Sequence, residues 1–270
     1  MGGFLPRKDE DLPSFGRRKH PLGPQRIPAA MSSSPVSAPV TSQPPTGSSA
    51  GEPILELEHL YHRWKGPKPA VLDDVSLTLR AGEVTWVGGR NGVGKTTLLR
   101  LAAGILLPQR GSVRIGELTP ASKGGLYRRQ IGFLSAGDRG LQARLRVAQQ
   151  LDYWARLAYV PRGRRAELVA VSLQRFGLEE LADRRVDRMS MGQRQRIRLA
   201  MAFLHEPIVV LLDEPRNSLD DDGYRLLGEQ IERAAGGGAT VLWCSPRGED
   251  RVLTSDTGYT LEDGRLERVE

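Results

Sequence analysis

The stretch Val87–Arg100, VGGRNGVGKTTLLR, restricts what this chain can fold into more than any other. Gly89, Gly94, Lys95 and Thr96 match a glycine, four residues, then Gly-Lys-Ser/Thr. Glycines let a tight loop turn its backbone N–H groups inward with no side chain blocking an anion. A helix beginning near Lys95 adds further N–H groups and a positive dipole end. Lys95 would place a point charge on outer phosphates, and Thr96 a hydroxyl on Mg²⁺. A glycine turn without a ligand is the competing interpretation. The flanks argue against it, because Glu83–Val87 reads as an entering strand and Thr97–Ala102 as a leaving helix. Gly89, Arg90, Asn91, Gly92, Val93, Gly94, Lys95, Thr96 and Thr97 are therefore candidate nucleotide-binding residues.

A second stretch fits the first. Ile208–Leu212 is wholly apolar and ends in Asp213-Glu214, as a central parallel strand would. Ligands in such sheets sit at the carboxyl ends of strands, which puts these two acids beside the phosphate loop. Asp213 then suits Mg²⁺, and Glu214 suits orienting or deprotonating a water. A strand-end charge pair with no chemistry is the alternative.

Between these lies Met189-Ser190-Met191-Gly192-Gln193, followed by a helical pattern through Leu204. Ser190 is placed to cap it. Ile197, Ala200, Met201 and Leu204 share one face, with Arg194 and Arg198 off it on an expected arginine-rich solvent side. Capping explains all but the small Gly192, which with Ser190 would admit an anion at the helix start.

Residues 1–52 differ from the rest. Ten of the 18 prolines lie in the first 53 residues, among serine-rich runs. Such a segment buries too little apolar surface to offset its ordering entropy, so disorder is expected. It is a tether or an over-long start, with Met31 an internal candidate. Then Ile54–Leu60 and Val71–Leu79 alternate as half-buried strands of an antiparallel piece. Between them Tyr61 and Trp64 look like exposed loop aromatics, either of which could stack on a purine or anchor the loop. Further strands are expected at Gly111–Ile115, Ile131–Leu134 and Ala239–Cys244, and around Gly258–Leu266. Leu141–Gly177 reads as helical, broken at Pro161-Arg162-Gly163.

Composition excludes some classes. No apolar run approaches the roughly eighteen residues that cross a bilayer. A single cysteine, Cys244, rules out an intramolecular disulfide and suits a reducing cytosol. The net charge is +7 with pI about 9.8, but no zinc spacing, helix-turn-helix or aromatic–basic interleaving accompanies it. An arginine-rich solvated surface accounts for the charge, and no specific nucleic-acid partner is expected.

Taken in this order, the motifs resemble the nucleotide-binding subunit of an ABC transporter, over roughly residues 54–270. The carried-over positions are the phosphate loop, the signature Ser190-Met191-Gly192-Gln193, the Asp213-Glu214-Pro215 strand end, and Asn217-Ser218-Leu219-Asp220 as the D-loop. Trp64 occupies the place of the adenine-stacking aromatic, ahead of Tyr61. The resemblance implies an α/β phosphate-loop NTPase of the ABC ATPase type, comprising residues 53–270. It carries an antiparallel β subdomain and an inserted helical subdomain at about 139–190. It implies ATP and Mg²⁺ as cofactors, and a homodimer or heterodimer in which Ser190, Gly192 and Gln193 of one copy complete the other's ATP site. It also implies a separate membrane-spanning permease, with this subunit peripheral on the cytoplasmic face. Arg144–Leu157 resembles the helical region of exporters of drugs, lipids or polysaccharides.

Two positions depart from the family. Its loop glutamine that touches Mg²⁺ is replaced by Ala136, with Asp138 or Gln142 as candidate substitutes. Its switch histidine is replaced by Pro246, which has no donor for a γ-phosphate. Slow hydrolysis, or dependence on a complementary partner site, is the expected consequence.

Overall fold

The computed structural model describes residues 52–66, 69–137, 139–246 and 255–269. The proline-rich stretch before Glu52, with Met31, and the candidate ligand Asp138 lie outside the described residues.

The chain begins with β1 (Pro53–His62), β2 (Leu72–Arg80) and β3 (Val84–Gly88), then α1 (Lys95–Ala102), β4 (Arg110–Arg114), α2 (Pro120–Arg129) and β5 (Ile131–Leu134). Next come helices α3 (Val147–Leu157), α4 (Arg162–Arg175) and α5 (Met191–Phe203). It closes with β6 (Val209–Asp213), α6 (Asp221–Gly236), β7 (Thr240–Ser245), β8 (Thr257–Glu262) and β9 (Arg265–Val269).

These elements form two sheets. The smaller is antiparallel, in the order β2-β1-β4. The larger runs β5-β6-β7-β3-β8-β9, parallel throughout except for β9, which returns antiparallel on β8. Every residue of β6 and β7 is buried, as strands covered on both faces must be. The strand's two-residue repeat divides β6 between two cores. Val209 and Leu211 pack with Leu98, Leu99 and Leu101 of α1 and with the small sheet. Val210 and Leu212 pack instead with Leu199 and Met201 of α5 and Leu227 of α6. Continued one step, that alternation puts Asp213 on the α1 side of the sheet.

Three sequence expectations are corrected. Tyr61 is no loop aromatic but part of β1, with the Arg110 guanidinium 3.9 Å above its ring from β4. The helix expected from Leu141 starts only at Val147, because the preceding backbone is committed elsewhere. Ala143 and Leu145 accept from the N–H groups of Asp187 and Val186, and Val147 N–H donates to Arg184 O. Third, Arg198 does not face solvent: it is buried, 7% exposed, within α5. Two helices that the apolar pattern did not reveal, α2 and α6, complete the fold.

Candidate nucleotide site

The phosphate loop joins β3 to α1 at the carboxyl edge of the large sheet. At Gly94, φ is +127°, and a Cβ would meet Val71 Cγ1 at 2.7 Å, so only glycine fits. The first intrahelical bond of α1 runs from Leu98 N–H to Gly94 O at 2.9 Å. The N–H groups of Lys95, Thr96 and Thr97 therefore have no acceptor within the helix. The loop is drawn around Lys95, whose Nζ donates to Gly89 O at 2.7 Å and Arg90 O at 3.1 Å. Gly89 to Val93 form one wall of a cavity of about 240 Å³. Leu261, Glu262 and Asp263 form the other, a contribution the sequence did not announce because it comes from the far end of the chain.

Across the sheet edge, Thr96 Oγ1 donates to Asp213 Oδ2 at 2.9 Å, and Ala136 N–H reaches the same oxygen at 3.3 Å. Asp213 is 2% exposed. Burial pushes its carboxyl up from the usual range, opposed by the bonds from Thr96 and Ala136 and reinforced by the Glu214 charge. Its other oxygen, Oδ1, is buried with no hydrogen-bond partner. An orphaned carboxylate oxygen beside a hydroxyl suits a hard divalent cation, which would supply the missing positive charge. Thr96 and Asp213 are the two residues that would hold Mg²⁺, the remaining positions going to water and phosphate oxygens, as Mg²⁺ prefers. Among the described residues there is no cluster of three or more His, Cys, Asp or Glu that could hold a metal. Cys244 pairs with Asp213 in register and is buried, so burial and the adjacent carboxylate push its thiol well up, leaving it inert.

Glu214 leaves the strand in the left-handed region, at φ +51°. Its N–H is held by Cys244 O at 2.9 Å, and its carboxylate accepts from Asn217 Nδ2 at 2.7 Å. A non-glycine residue in that conformation costs on the order of 1–3 kcal/mol, and the surrounding bonds impose it. The side chain thus sits at the rim of the sheet edge, partly exposed, while Asp213 faces inward. Trp64 lies just past β1 with 44% exposure. Its indole and the His62 ring are nearly perpendicular, at 81°, with ring centroids 4.9 Å apart. His62 is buried, and burial lowers its pKa.

The signature residues are elsewhere. Ser190 caps α5 as expected: its Oγ accepts from Gln193 N–H at 3.2 Å, and Gln193 Oε1 accepts from Ser190 N–H at 3.0 Å. Gly192 is needed for close approach, since a Cβ there would meet Ser218 O at 2.9 Å. With Arg196 and Asp220, these residues line a cavity of about 590 Å³ that shares no lining residue with the phosphate-loop cavity. Arg196 and Asp220 are paired at 2.6 Å, and Asp220 also caps α6 through Gly223 N–H. The two cavities are thus separate within one chain. Gln142, a candidate substitute for the missing glutamine, has its N–H tied to Gln150 Oε1 at 2.8 Å.

A phosphate loop on a parallel sheet, an acid pair at the end of β6, and a separate capped helix together define an ATP-binding cassette. Comparison with known proteins agrees: the family described as ABC transporter matches residues 72–217, and the chain belongs to it as an ATP-binding ATPase subunit. It is 32% identical to the ABC transporter ATP-binding protein NatA of Bacillus subtilis over 224 residues, 80% of this chain and 91% of that protein. It is likewise 32% identical to the methionine import ATP-binding protein MetN of Brucella abortus over 241 residues, covering 85% of this chain and 64% of the relative. Among solved structures, an ATP-binding subunit of an ABC transporter superposes with a TM-score of 0.73 at 26% identity, covering 79% of this chain and 88% of that one.

Proposed function

We propose that this subunit drives a separate membrane-spanning exporter from its cytoplasmic face, by closing with a second nucleotide-binding unit over ATP. Thr96 meeting Asp213 beneath the phosphate loop carries this reading. In it, Lys95 exchanges its loop carbonyls for the outer phosphates, and the α1 N–H groups hold phosphate oxygens. Thr96 and Asp213 present their oxygens to Mg²⁺, whose charge offsets that on the phosphates. Trp64 stacks on the purine, and Glu214 orients or deprotonates the attacking water from the rim. The separation of the two cavities supports a two-copy site, since Ser190, Gly192 and Gln193 of one copy must meet the phosphate loop of another. No helix among the described residues is long and apolar enough to cross a membrane, so the translocation path belongs to another chain in this reading. Export is read from the Arg144–Leu157 region, which resembles the helical region of exporters.

The test is Mg·ATP binding by the purified subunit, then flux in vesicles carrying it with the membrane protein encoded beside it. Saturable binding and ATP-driven substrate movement away from the subunit's side are expected. No Mg·ATP affinity would end the reading, and flux toward the subunit's side would end the export part.

One observation favours a slower variant of the same cycle. At the end of β7, Ser245 Oγ accepts from Trp86 Nε1 at 2.8 Å and donates to Pro246 O at 3.3 Å. Pro246, where a side-chain donor is expected, offers none. Loss of one transition-state donor typically lowers turnover by about 10²–10³. Single-turnover hydrolysis below about 0.1 per second by a chain that binds ATP tightly is expected; rates usual for enzymes would overturn it.

A further inference from the structure

Helix α5 contains a buried polar pair that the nucleotide site as described does not use. Gln195 is 5% exposed and Arg198 7%. Arg198 Nη1 donates to Gln195 Oε1 at 2.6 Å, Nε donates to Arg139 O at 3.3 Å, and Nη2 donates to Ser135 O. Gln195 Nε2 in turn donates to Pro215 O at 2.9 Å. A single network thus fastens α5 to the loop after β5 and to the loop after β6. Burying a guanidinium is costly unless its donors are met, so its place here demands a reason.

The two anchored loops flank Asp213. Pro215 follows the Asp213-Glu214 pair directly, and Ala136 follows Ser135. Ala136 N–H reaches Asp213 Oδ2 at 3.3 Å, while its methyl can neither donate nor accept. A main-chain donor is only as well placed as the loop that carries it. Arg198 holds that loop by carbonyls on both sides of Ala136, at Ser135 and Arg139. Only a planar fork with several donors spans two carbonyls and an amide oxygen together; an ammonium or a thioether cannot.

We infer that Arg198, with Gln195, is a positioning residue for the cation site: it sets the loop that orients Asp213 and ties that loop to the helix whose first residues face the second nucleotide. From Ser190 to Arg198 the helix spans roughly 12 Å at 1.5 Å per residue. A shift at the signature end therefore reaches the loops around Asp213 through rigid backbone and one buried network. In this chain the helix supplies, through main-chain placement, ordering that the alanine side chain cannot. The inference rests on the nucleotide reading above.

The experiment compares wild type, Arg198→Met and Arg198→Lys for affinity toward a fluorescent ATP analogue, with Mg²⁺ and with EDTA, alongside thermal melting. Outer-shell groups of this kind typically contribute 10–100-fold to metal affinity. Wild type should bind more tightly with Mg²⁺. In Arg198→Met that Mg²⁺-dependent gain should fall about tenfold while affinity in EDTA stays within about twofold. Arg198→Lys, which keeps stem and charge, should fall part of the way. An undiminished Mg²⁺ gain in Arg198→Met overturns the inference, as does an equal loss with and without Mg²⁺. Should Arg198→Met fail to fold, Arg198→Lys decides, and wild-type Mg²⁺ dependence in that variant overturns it too. A wild-type chain that binds no nucleotide in either condition would sink the nucleotide reading itself, and this inference with it.

Discussion

Thr96 and Asp213 stand 117 residues apart in sequence, yet the hydroxyl of one donates to the carboxylate of the other at 2.9 Å. The contact exists because α1 packs on the face of β6 that carries Val209, Leu211 and then Asp213. Thr96→Val keeps the shape of the side chain and removes the hydroxyl. Nucleotide affinity in EDTA should change little, whereas the affinity gained on adding Mg²⁺ should drop about 10–100-fold. A Mg²⁺ titration of nucleotide binding checks this, and an unchanged titration would remove Thr96 from the cation site.

Glu214 is held at the rim by Asn217, through a bond that the amide oxygen of a glutamine can still accept. Glu214→Gln should therefore fold normally and bind ATP, while hydrolysis falls by roughly 10²–10³ or more, since a general base typically supplies about 10²–10⁴. With the nucleotide uncleaved, size-exclusion chromatography in Mg·ATP should show a persistent two-copy species. Turnover equal to wild type would take Glu214 out of the chemistry.

Trp64 is 44% exposed, and its ring stands nearly perpendicular to that of His62. Stacking of a base on an aromatic is worth about 1–3 kcal/mol, or 5–150-fold in affinity. Trp64→Ala should lose that much for ATP but leave tripolyphosphate affinity unchanged, and Trp64→Tyr should recover most of it. Equal losses for ATP and tripolyphosphate would mean that Trp64 shapes the loop and does not stack.

His205 follows α5, with both ring nitrogens buried and neither hydrogen-bonded in normal geometry. Burial lowers its pKa to about 4, helped by the Arg129 charge and only partly opposed by the Ile131 backbone. A histidine with a depressed folded pKa stays neutral while the unfolded chain takes up a proton. Its contribution is thus intact above pH 6.5 and lost progressively as pH falls to about 4. The full loss is roughly 3 kcal/mol, from about 1.4 kcal/mol per pKa unit. Urea unfolding between pH 7 and 4 should show this decline, and His205→Leu should flatten it. Equal slopes in the two proteins would assign the acid sensitivity to other groups.

Much of the site was legible because its parts are local. A glycine loop before Lys95-Thr96 needs only its own residues to turn its N–H groups inward, and its helix starts at Lys95 as expected. The apolar run ending in Asp213 could be read as a buried parallel strand, and Ser190 as a cap, for the same reason: each pattern is complete within a few residues. Arg198 was misplaced because helical periodicity assigns a charged residue to solvent. It cannot foresee that the loop after β5 will bring two carbonyls to meet a guanidinium on the inner side. The wall formed by Leu261 to Asp263 escaped notice too, since nothing in those residues marks them as neighbours of a loop some 170 positions earlier.

What the sequence determined alone was therefore conformation at short range: a phosphate-sized turn, strands with their inward faces, a capped helix and two acids at a strand end. Tertiary structure decided which of these would meet. Strand order β5-β6-β7-β3 set Asp213 against Thr96 and turned Glu214 to the rim, while the path of α5 carried Ser190 to a different cavity. The division has a physical cause. Turn and helix preferences arise from dihedral sterics and bonds within a few residues, whereas strand pairing and burial depend on surfaces that come together only when the whole chain folds.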